Sequence, residues 1–358
     1  MSDAEGLQTR VVPVDSMSPD PAVIAEAAAL LQAGRLVAFP TETVYGLGAN
    51  AMDPAAVRRI FVAKDRDPDD PLIVHIARAS DVEMVAADVP ALARELAERF
   101  WPGGLTLVLP RGERIAPEVS AGRRTVAVRM PSHPVARALI EAAGVPIAAP
   151  SANRFMRTSA TTAAHVLDDL AGRIDMVLDA GPATAGIEST VVELEGDRVT
   201  ILRPGAVTRE MLEEALGRPV DVRGREAAAG PASPGMLERH YAPRARLVYL
   251  PGVMAPDVAA QARESAAAGV RVGLLLADED APGIEEEGLA VERLGPANDL
   301  ERVAARLFAA LRALDAAGVE VIYARGFART GAGLAIDDRL RRASAAGREG
   351  GTGRAESG

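Results

Sequence analysis

The feature that most constrains this chain is an alternation repeated along its length. Apolar runs of strand length ("RLVAF", "PLIVHI", "LTLVLP", "TVAVRMP", "VPIAAP", "DMVLDAG") are separated by segments of helical period. A run too short for a helix must be buried in a sheet, and the helical stripes must cover that sheet, so the pattern predicts a layered α/β fold. Helix starts are marked twice by Asp-Pro: Asp20 caps and Pro21 opens "DPAVIAEAAALLQAG", which closes on Gly34, and Asp53-Pro54 opens "DPAAVRRIFVAK". "LARELAERF" and "TREMLEEAL" read as further helices, and "STVVEL" and "RVTILRP" around "EGD" read as a hairpin.

With 358 residues, 48% of them hydrophobic, the chain can bury more than one core. The texture changes after residue 217. Residues 218–244 are rich in Pro and Gly with little apolar period, whereas "ARLVYL", "VRVGLLLA" and "VEVIYARG" beyond them again read as strands. We therefore expect a first domain over 15–217, a linker over 218–244, a smaller α/β domain over 245–345 and a disordered tail over 346–358.

Several function classes fall on composition. The absence of cysteine excludes disulfides, zinc-thiolate sites and cysteine catalysis. A net charge of −10 and 3% aromatic residues argue against broad nucleic-acid binding and base-stacking surfaces. The start "MSDAEGLQTR" is polar and no apolar stretch is of spanning length, so no secretion signal or membrane segment is expected and a cytoplasmic location is. His75, His133, His165 and His240 are scattered without metal-ligand spacing, and neither nucleotide-binding glycine loop nor a G-x-S-x-G elbow occurs.

The polar residues that remain fall at strand ends. "FPTETVYGLGAN" reads as a strand, then a hydroxyl-rich, glycine-bearing turn, then a helix, and the turn alone has an ordinary structural explanation. Lys64 lies seven residues after Val57 on the inward stripe of its helix, while Arg66 just beyond suits the helix dipole. Strand alternation puts Thr125, Ala127 and Arg129 on one face and His75 with Ile73. Ala149 shares a face with Ser151, and Ser189 and Arg203 stand at strand ends. Each alone is more often structural; together they look like the lining of an anion-binding cavity. Donors and cations without a nucleophile suit two substrates reacting with each other.

As a set, "PTETVYGLG", the lysine-x-arginine of "AKDRDPDDPLIVHI", "WPGGLTLVL", "TVAVRMP", "APSAN", "GIESTVV", "LRPGAVT" and "SPGMLERHYAP" resemble the threonylcarbamoyl-AMP synthase family over roughly residues 15–245. The remainder looks like the C-terminal domain of that family's two-domain form. The resemblance implies a twisted mixed-sheet, YrdC-like N-terminal domain with a concave basic cavity, plus a smaller Rossmann-like α/β domain. It implies synthesis of threonylcarbamoyl-AMP and pyrophosphate from L-threonine, bicarbonate or CO2, and ATP, with Mg²⁺ brought by the nucleotide, no side-chain metal site and no tightly bound organic cofactor. The product would feed modification of adenosine 37 in tRNA through a downstream threonylcarbamoyltransferase complex.

Carried onto this chain, the family's amino-acid pocket falls on Thr43, His75, Arg129, the Ala149 backbone and Ser189, with Thr41 and Tyr45 as supports. Its ATP contacts fall on Lys64, Arg66, Asp70 (in the family's Asn position), Thr125, Ser151, Asn153, Ser159, Arg203 and, from the linker, Tyr241, which makes the linker a lid candidate. Lys64 and Arg66 would also be catalytic, through charge stabilisation. Two departures stand out. The family's K-G-R-P and Asn are here Lys64-Asp65-Arg66-Asp67 and Asp70, which places carboxylates beside a triphosphate and predicts altered ATP or magnesium dependence. The usual Ser-Gly after "SAN-R" is here Phe155-Met156. Competing readings are a non-catalytic RNA-binding translation factor and a carbamoyl-adenylate enzyme with another donor; a nicotinamide dehydrogenase lacks its glycine fingerprint.

Overall fold

The computed structural model describes residues 7–223, 240–282, 284 and 289–344. They fall into two units. The first runs to Phe155 and resumes at Ser159; the second joins Met156–Thr158 to the chain after the undescribed segment 224–239. The expected tail and most of the expected linker lie outside the described residues.

In the first unit the apolar runs become strands of one mixed sheet. They are β1 (Arg10–Pro13), β2 (Val37–Phe39), β3 (Gly46–Asn50), β4 (Ile73–His75), β5 (Leu105–Pro110), β6 (Thr125–Arg129), β7 (Ile147–Ala148), β8 (Met176–Asp179), β9 (Thr190–Glu195), β10 (Arg198–Arg203) and β11 (Asp221–Val222). Their order is β1-β8-β2-β3-β7-β4-β6-β5-β9-β10-β11. β9 and β10 pair antiparallel around Gly196, as the hairpin reading expects. β11 pairs with β10 inside the stretch read as linker, so this unit's sheet continues past residue 217.

The helices are α1 (Pro21–Gln32), α2 (Pro54–Lys64), α3 (Val82–Val85), α4 (Ala91–Phe100), α5 (Pro134–Ala143), α6 (Ala163–Leu170) and α7 (Arg209–Leu216). Asp20 and Asp53 cap α1 and α2 by accepting from Ala22 N and Ala55 N, both at 2.8 Å. Each cap contributes about 1 kcal/mol. α1 and α5 bury Ile24, Leu31, Leu139 and Ile140 against Val37, Phe39, Ile147 and Met176 on one sheet face. α2 buries Val57, Ile60 and Phe61 with Leu47, Val74 and Val128 on the other. The central strands are covered on both sides, which is why they read as continuous apolar runs.

One local reading is corrected. "GLGAN" is not a turn into a helix but β3, paired antiparallel with β2 through Val37↔Gly48 and Phe39↔Gly46. Its glycines answer to packing and not to a left-handed backbone. A Cβ on Gly48 would lie 2.9 Å from Phe39 Cε1 and 3.0 Å from Ile147 Cγ2. Only a side chain of hydrogen lets the Phe39 ring lie across the strand.

The second unit is a parallel sheet with order β12-β15-β13-β14, from β12 (Arg246–Leu250), β13 (Val272–Leu276), β14 (Ala290–Arg293) and β15 (Val321–Arg325). α8 (Ala255–Ala267), α9 (Leu300–Ala316) and α10 (Gly333–Ser344) accompany it, and Val258, Leu274, Leu276 and Val321 share its core. This agrees with the expected smaller Rossmann-like domain. Met156 has φ 68, the left-handed region that a glycine occupies without strain. No helix among the described residues is long and apolar enough to cross a membrane.

Gly48→Ala should destabilise the first unit by about 1–3 kcal/mol through overpacking against Phe39 and Ile147. Urea unfolding followed by far-UV dichroism measures it, and an unchanged midpoint would contradict this account of β3.

Candidate active site

Strand register builds the centre of the site. His75 ends β4 and Arg129 ends β6, and the two are directly paired; Thr106 of β5 pairs with Arg129 from the other side. Paired residues share a face, so His75, Arg129 and Thr106 form a row across three strands spaced about 4.8 Å apart. Sequence alternation predicts the faces of the first two, but not that strand order makes them neighbours.

Arg129 is 3% exposed and its guanidinium is engaged on each nitrogen. Nη1 donates to Thr43 Oγ1 at 2.8 Å, Nη2 to Glu42 Oε1 at 2.7 Å and Nε to Gly103 O at 3.1 Å. Thr43 is itself held by Thr41, whose hydroxyl donates to Val44 O at 2.6 Å. A hydroxyl has one hydrogen, so across the 2.9 Å Thr41–Thr43 contact Thr43 is the donor, and it accepts from Arg129. Glu42 also accepts from Ser132 N at 3.1 Å. Against the upward push of burial, the Arg129 guanidinium and these hydrogen bonds hold its carboxyl below the usual range.

His75 lies edge-on to Phe39, with ring centroids 6.2 Å apart, and its buried Nδ1 has no hydrogen-bond partner. Burial first, and the neighbouring Arg129 charge second, push its pKa down to about 3. It is a neutral imidazole at physiological pH. On the other side of the row Thr106 Oγ1 meets Ser189 Oγ at 2.8 Å, and Arg203 Nη2 donates to Ser189 O at 2.8 Å and Oγ at 3.1 Å. The Ala149 N–H donates to Ile73 O at 2.9 Å, so a ligand would meet its carbonyl. Tyr45 is wholly buried, and its hydroxyl donates to Gly181 O at 2.7 Å, which makes it a brace to the loop after β8.

A second group gathers at the end of α2. Asp65 closes the helix with φ 51, and Arg66 N returns to Phe61 O at 2.9 Å. Lys64, 1% exposed, extends its ammonium to the carbonyls of Ser151 and Asn153, while Phe155 N donates to Lys64 O at 2.9 Å. The loop 151–155 is thus tied to the helix end by side chain and main chain alike. Arg66 does not cap the helix dipole. Its guanidinium donates to Pro71 O at 2.9 Å, lies 2.7 Å from Asp70 Oδ2, and sits 5.7 Å from the centre of the Phe155 ring, within cation–π range. Burial pushes the Asp70 pKa up, against the pull of Arg66, Lys64 and Arg203. Ser159 donates to the buried carboxylate of Glu188.

Thr125 shares the Arg129 face but opens β6, four residues or about 13 Å along the strand, and is exposed. Tyr241 belongs to the second unit, where its ring stacks on Phe308 at 5.6 Å and lies under the Arg339 guanidinium at 4.9 Å. Sequence pattern does not single out Glu42, Thr106 or Glu188. Glu42 and Glu188 lie inside the motifs "PTET" and "GIEST", but a motif does not say which cation or hydroxyl an acid will meet. Among the described residues no group of three or more His, Asp or Glu side chains is placed to hold a metal ion.

The fold and the cation-bearing sheet end point to one class of α/β protein, and comparison with known proteins agrees. Residues 29–205 match the Sua5/YciO/YrdC family described as telomere recombination, and residues 207–345 match the threonylcarbamoyl-AMP synthase C-terminal domain. The threonylcarbamoyl-AMP synthase of Bacillus subtilis (strain 168) is 47% identical over 333 residues, covering 92% of this chain and 95% of the relative. That of Schizosaccharomyces pombe is 37% identical, covering 86% and 84%. The crystal structure of P. abyssi Sua5 complexed with L-threonine is 40% identical with a TM-score of 0.87, covering 95% of this chain and 98% of that one. The chain belongs to the threonylcarbamoyl-AMP synthase family, in its two-domain form.

The His75 shift predicts a pH effect. The unfolded chain binds a proton near the ordinary value of 6.5, the folded chain only near 3. Stability is therefore full above about pH 6.5 and falls as pH drops between those values, by up to about 1.4 kcal/mol per pH unit. Denaturant unfolding of His75→Gln should show a flatter acid limb than the parent; parallel limbs would remove the buried neutral imidazole.

Proposed function

We propose that the chain is an L-threonylcarbamoyladenylate synthase, and the observation that carries this is the near full-length likeness to a relative whose structure holds L-threonine. Arg129 and His75 of the row, with Thr43 on Arg129 and Ser189 on Thr106, supply the chemistry an amino acid needs. Three of Arg129's five N–H groups serve Gly103, Thr43 and Glu42, which leaves two for the substrate carboxylate. His75, neutral, adds no third charge to Arg129 and the substrate ammonium, and in the tautomer with its proton on Nε2 its buried Nδ1 would accept from the ammonium or hydroxyl of threonine.

Lys64, Arg66 and Arg203, with Ser151, Asn153 and Ser159, form the ATP side of this reading, and Mg²⁺ enters as part of the nucleotide substrate. The threonine amine adds to CO2 derived from bicarbonate and loses a proton, giving a carbamate. A carbamate oxygen then bonds to the α-phosphorus, the bond from the α-phosphorus to the α–β bridging oxygen breaks, and pyrophosphate leaves carrying the bridging oxygen. No protein nucleophile is required. The protein contributes orientation of two bound reactants and stabilisation of the charge gathering on the leaving pyrophosphate. Thr125 and Tyr241 keep their proposed ATP roles. The threonylcarbamoyl group of this adenylate would then be transferred to adenosine 37 of tRNA by a downstream transferase complex, with AMP as the leaving group, in the cytoplasm.

Incubation with ATP, magnesium, bicarbonate and L-threonine should yield threonylcarbamoyl-AMP by mass, with pyrophosphate release that depends on threonine. Release independent of threonine would sink the assignment, and RNA affinity with a steep salt slope but no pyrophosphate would favour the RNA-binding alternative. Arg129→Lys, which loses the planar fork, should raise KM for threonine by roughly 10- to 100-fold with a smaller change in KM for ATP.

A further inference from the structure

Asp70 stands beside these cations with a charge that opposes the ligand expected there. It is 1% exposed, and neither carboxylate oxygen makes a hydrogen bond, although Oδ2 lies 2.7 Å from Arg66 Nη2. The contact is an ion pair whose geometry is out of line for a hydrogen bond. A buried carboxylate without hydrogen bonds is costly, and only nearby cations offset the cost. Three provide that field: Arg66, Lys64 and Arg203, which are 7%, 1% and 4% exposed. Asp67, exposed, adds a repulsion. Main-chain carbonyls orient the cations. Lys64 donates to those of Ser151 and Asn153, Arg66 to those of Asp70 and Pro71, and Arg203 to that of Ser189. Their directions are fixed by the backbone, and the Asp70 carboxylate supplies charge alone.

We propose that Asp70 is a resident anion that competes with polyphosphate for Lys64, Arg66 and Arg203, and so sets this protein's nucleotide affinity below what its three buried cations would otherwise give. The inference rests on the ATP reading above. An arriving triphosphate gains three cations and meets one carboxylate at the same place, in a buried setting where a single charge is weakly screened. Removing that charge while keeping a planar polar group leaves the backbone-held cations where they are. Affinity should rise, an outcome that loss of a merely structural contact does not produce. A carboxylate acting as a magnesium ligand predicts the reverse, because its loss would weaken binding only when the metal is present.

The test uses the full chain and equilibrium binding of two probes, ATP and inorganic tripolyphosphate, each with excess EDTA and with magnesium. Asp70→Asn should bind both probes roughly tenfold more tightly than the parent in EDTA and keep a gain with magnesium. Asp70→Ser is a second charge-neutral variant with a smaller side chain and should gain in the same direction. Asp67→Asn makes the same change of net charge at an exposed position and should change affinity less than about twofold. The inference is overturned if Asp70→Asn and Asp70→Ser bind no more tightly than the parent in EDTA. It is overturned equally if they lose affinity only with magnesium, or if Asp67→Asn gains as much. A parent that binds neither probe would remove the nucleotide reading itself, and the inference with it; a parent that binds while the variants show no gain would remove the inference alone.

Discussion

Cations buried at the end of a sheet must be held by acceptors that the fold itself provides, and the architecture of the first unit follows from this requirement. Lys64, Arg66, Arg129 and Arg203 are all less than a tenth exposed. An uncompensated buried charge costs several kcal/mol, so each needs partners before any ligand arrives. Main-chain carbonyls of Ser151, Asn153, Pro71, Gly103 and Ser189 provide most of them. Those carbonyls come from residues just outside the strands, where the sheet ladder does not use them. A row of side chains at strand ends, ringed by loops, is therefore where such charges can be buried at all.

Carboxylates supply the rest, and they divide the cations into two sets. Glu42 holds Arg129 together with the hydroxyl of Thr43, and Asp70 stands beside Arg66. Ser189 joins the sets, because its hydroxyl touches Thr106 next to Arg129 while its carbonyl receives Arg203. The low-dielectric sheet beneath, packed with Phe39, Ile147 and Ala149, keeps His75 neutral and leaves Arg129 as the charge of the row.

Much of this is legible in the amino-acid sequence alone. The Asp-Pro starts locate α1 and α2, strand alternation puts Arg129 on a polar face, and the seven-residue spacing from Val57 turns Lys64 inward. The stretch that misleads is "GLGAN". Two glycines after a strand suggest a turn, yet here they are a strand whose missing side chains make room for the Phe39 ring. Local pattern cannot tell a glycine needed for backbone freedom from one needed for space, because the second depends on a neighbour from elsewhere in the chain. The acids Glu42 and Glu188 escape sequence reading for a related reason: their partners, Arg129 and Ser159, lie 87 and 29 residues away.

Side-chain period, capping signals and motifs held in one order were enough to mark most strands and helices, the polar faces and the family. These are properties of short spans, set by side-chain period, capping and backbone restriction. Chain folding was needed to bring His75, Arg129 and Thr106 into one row, to pack Tyr241 in the second unit and to seat Asp70 among three cations. Those are pairings between distant segments, fixed by strand order and register, and Coulomb energy depends on the distances that result.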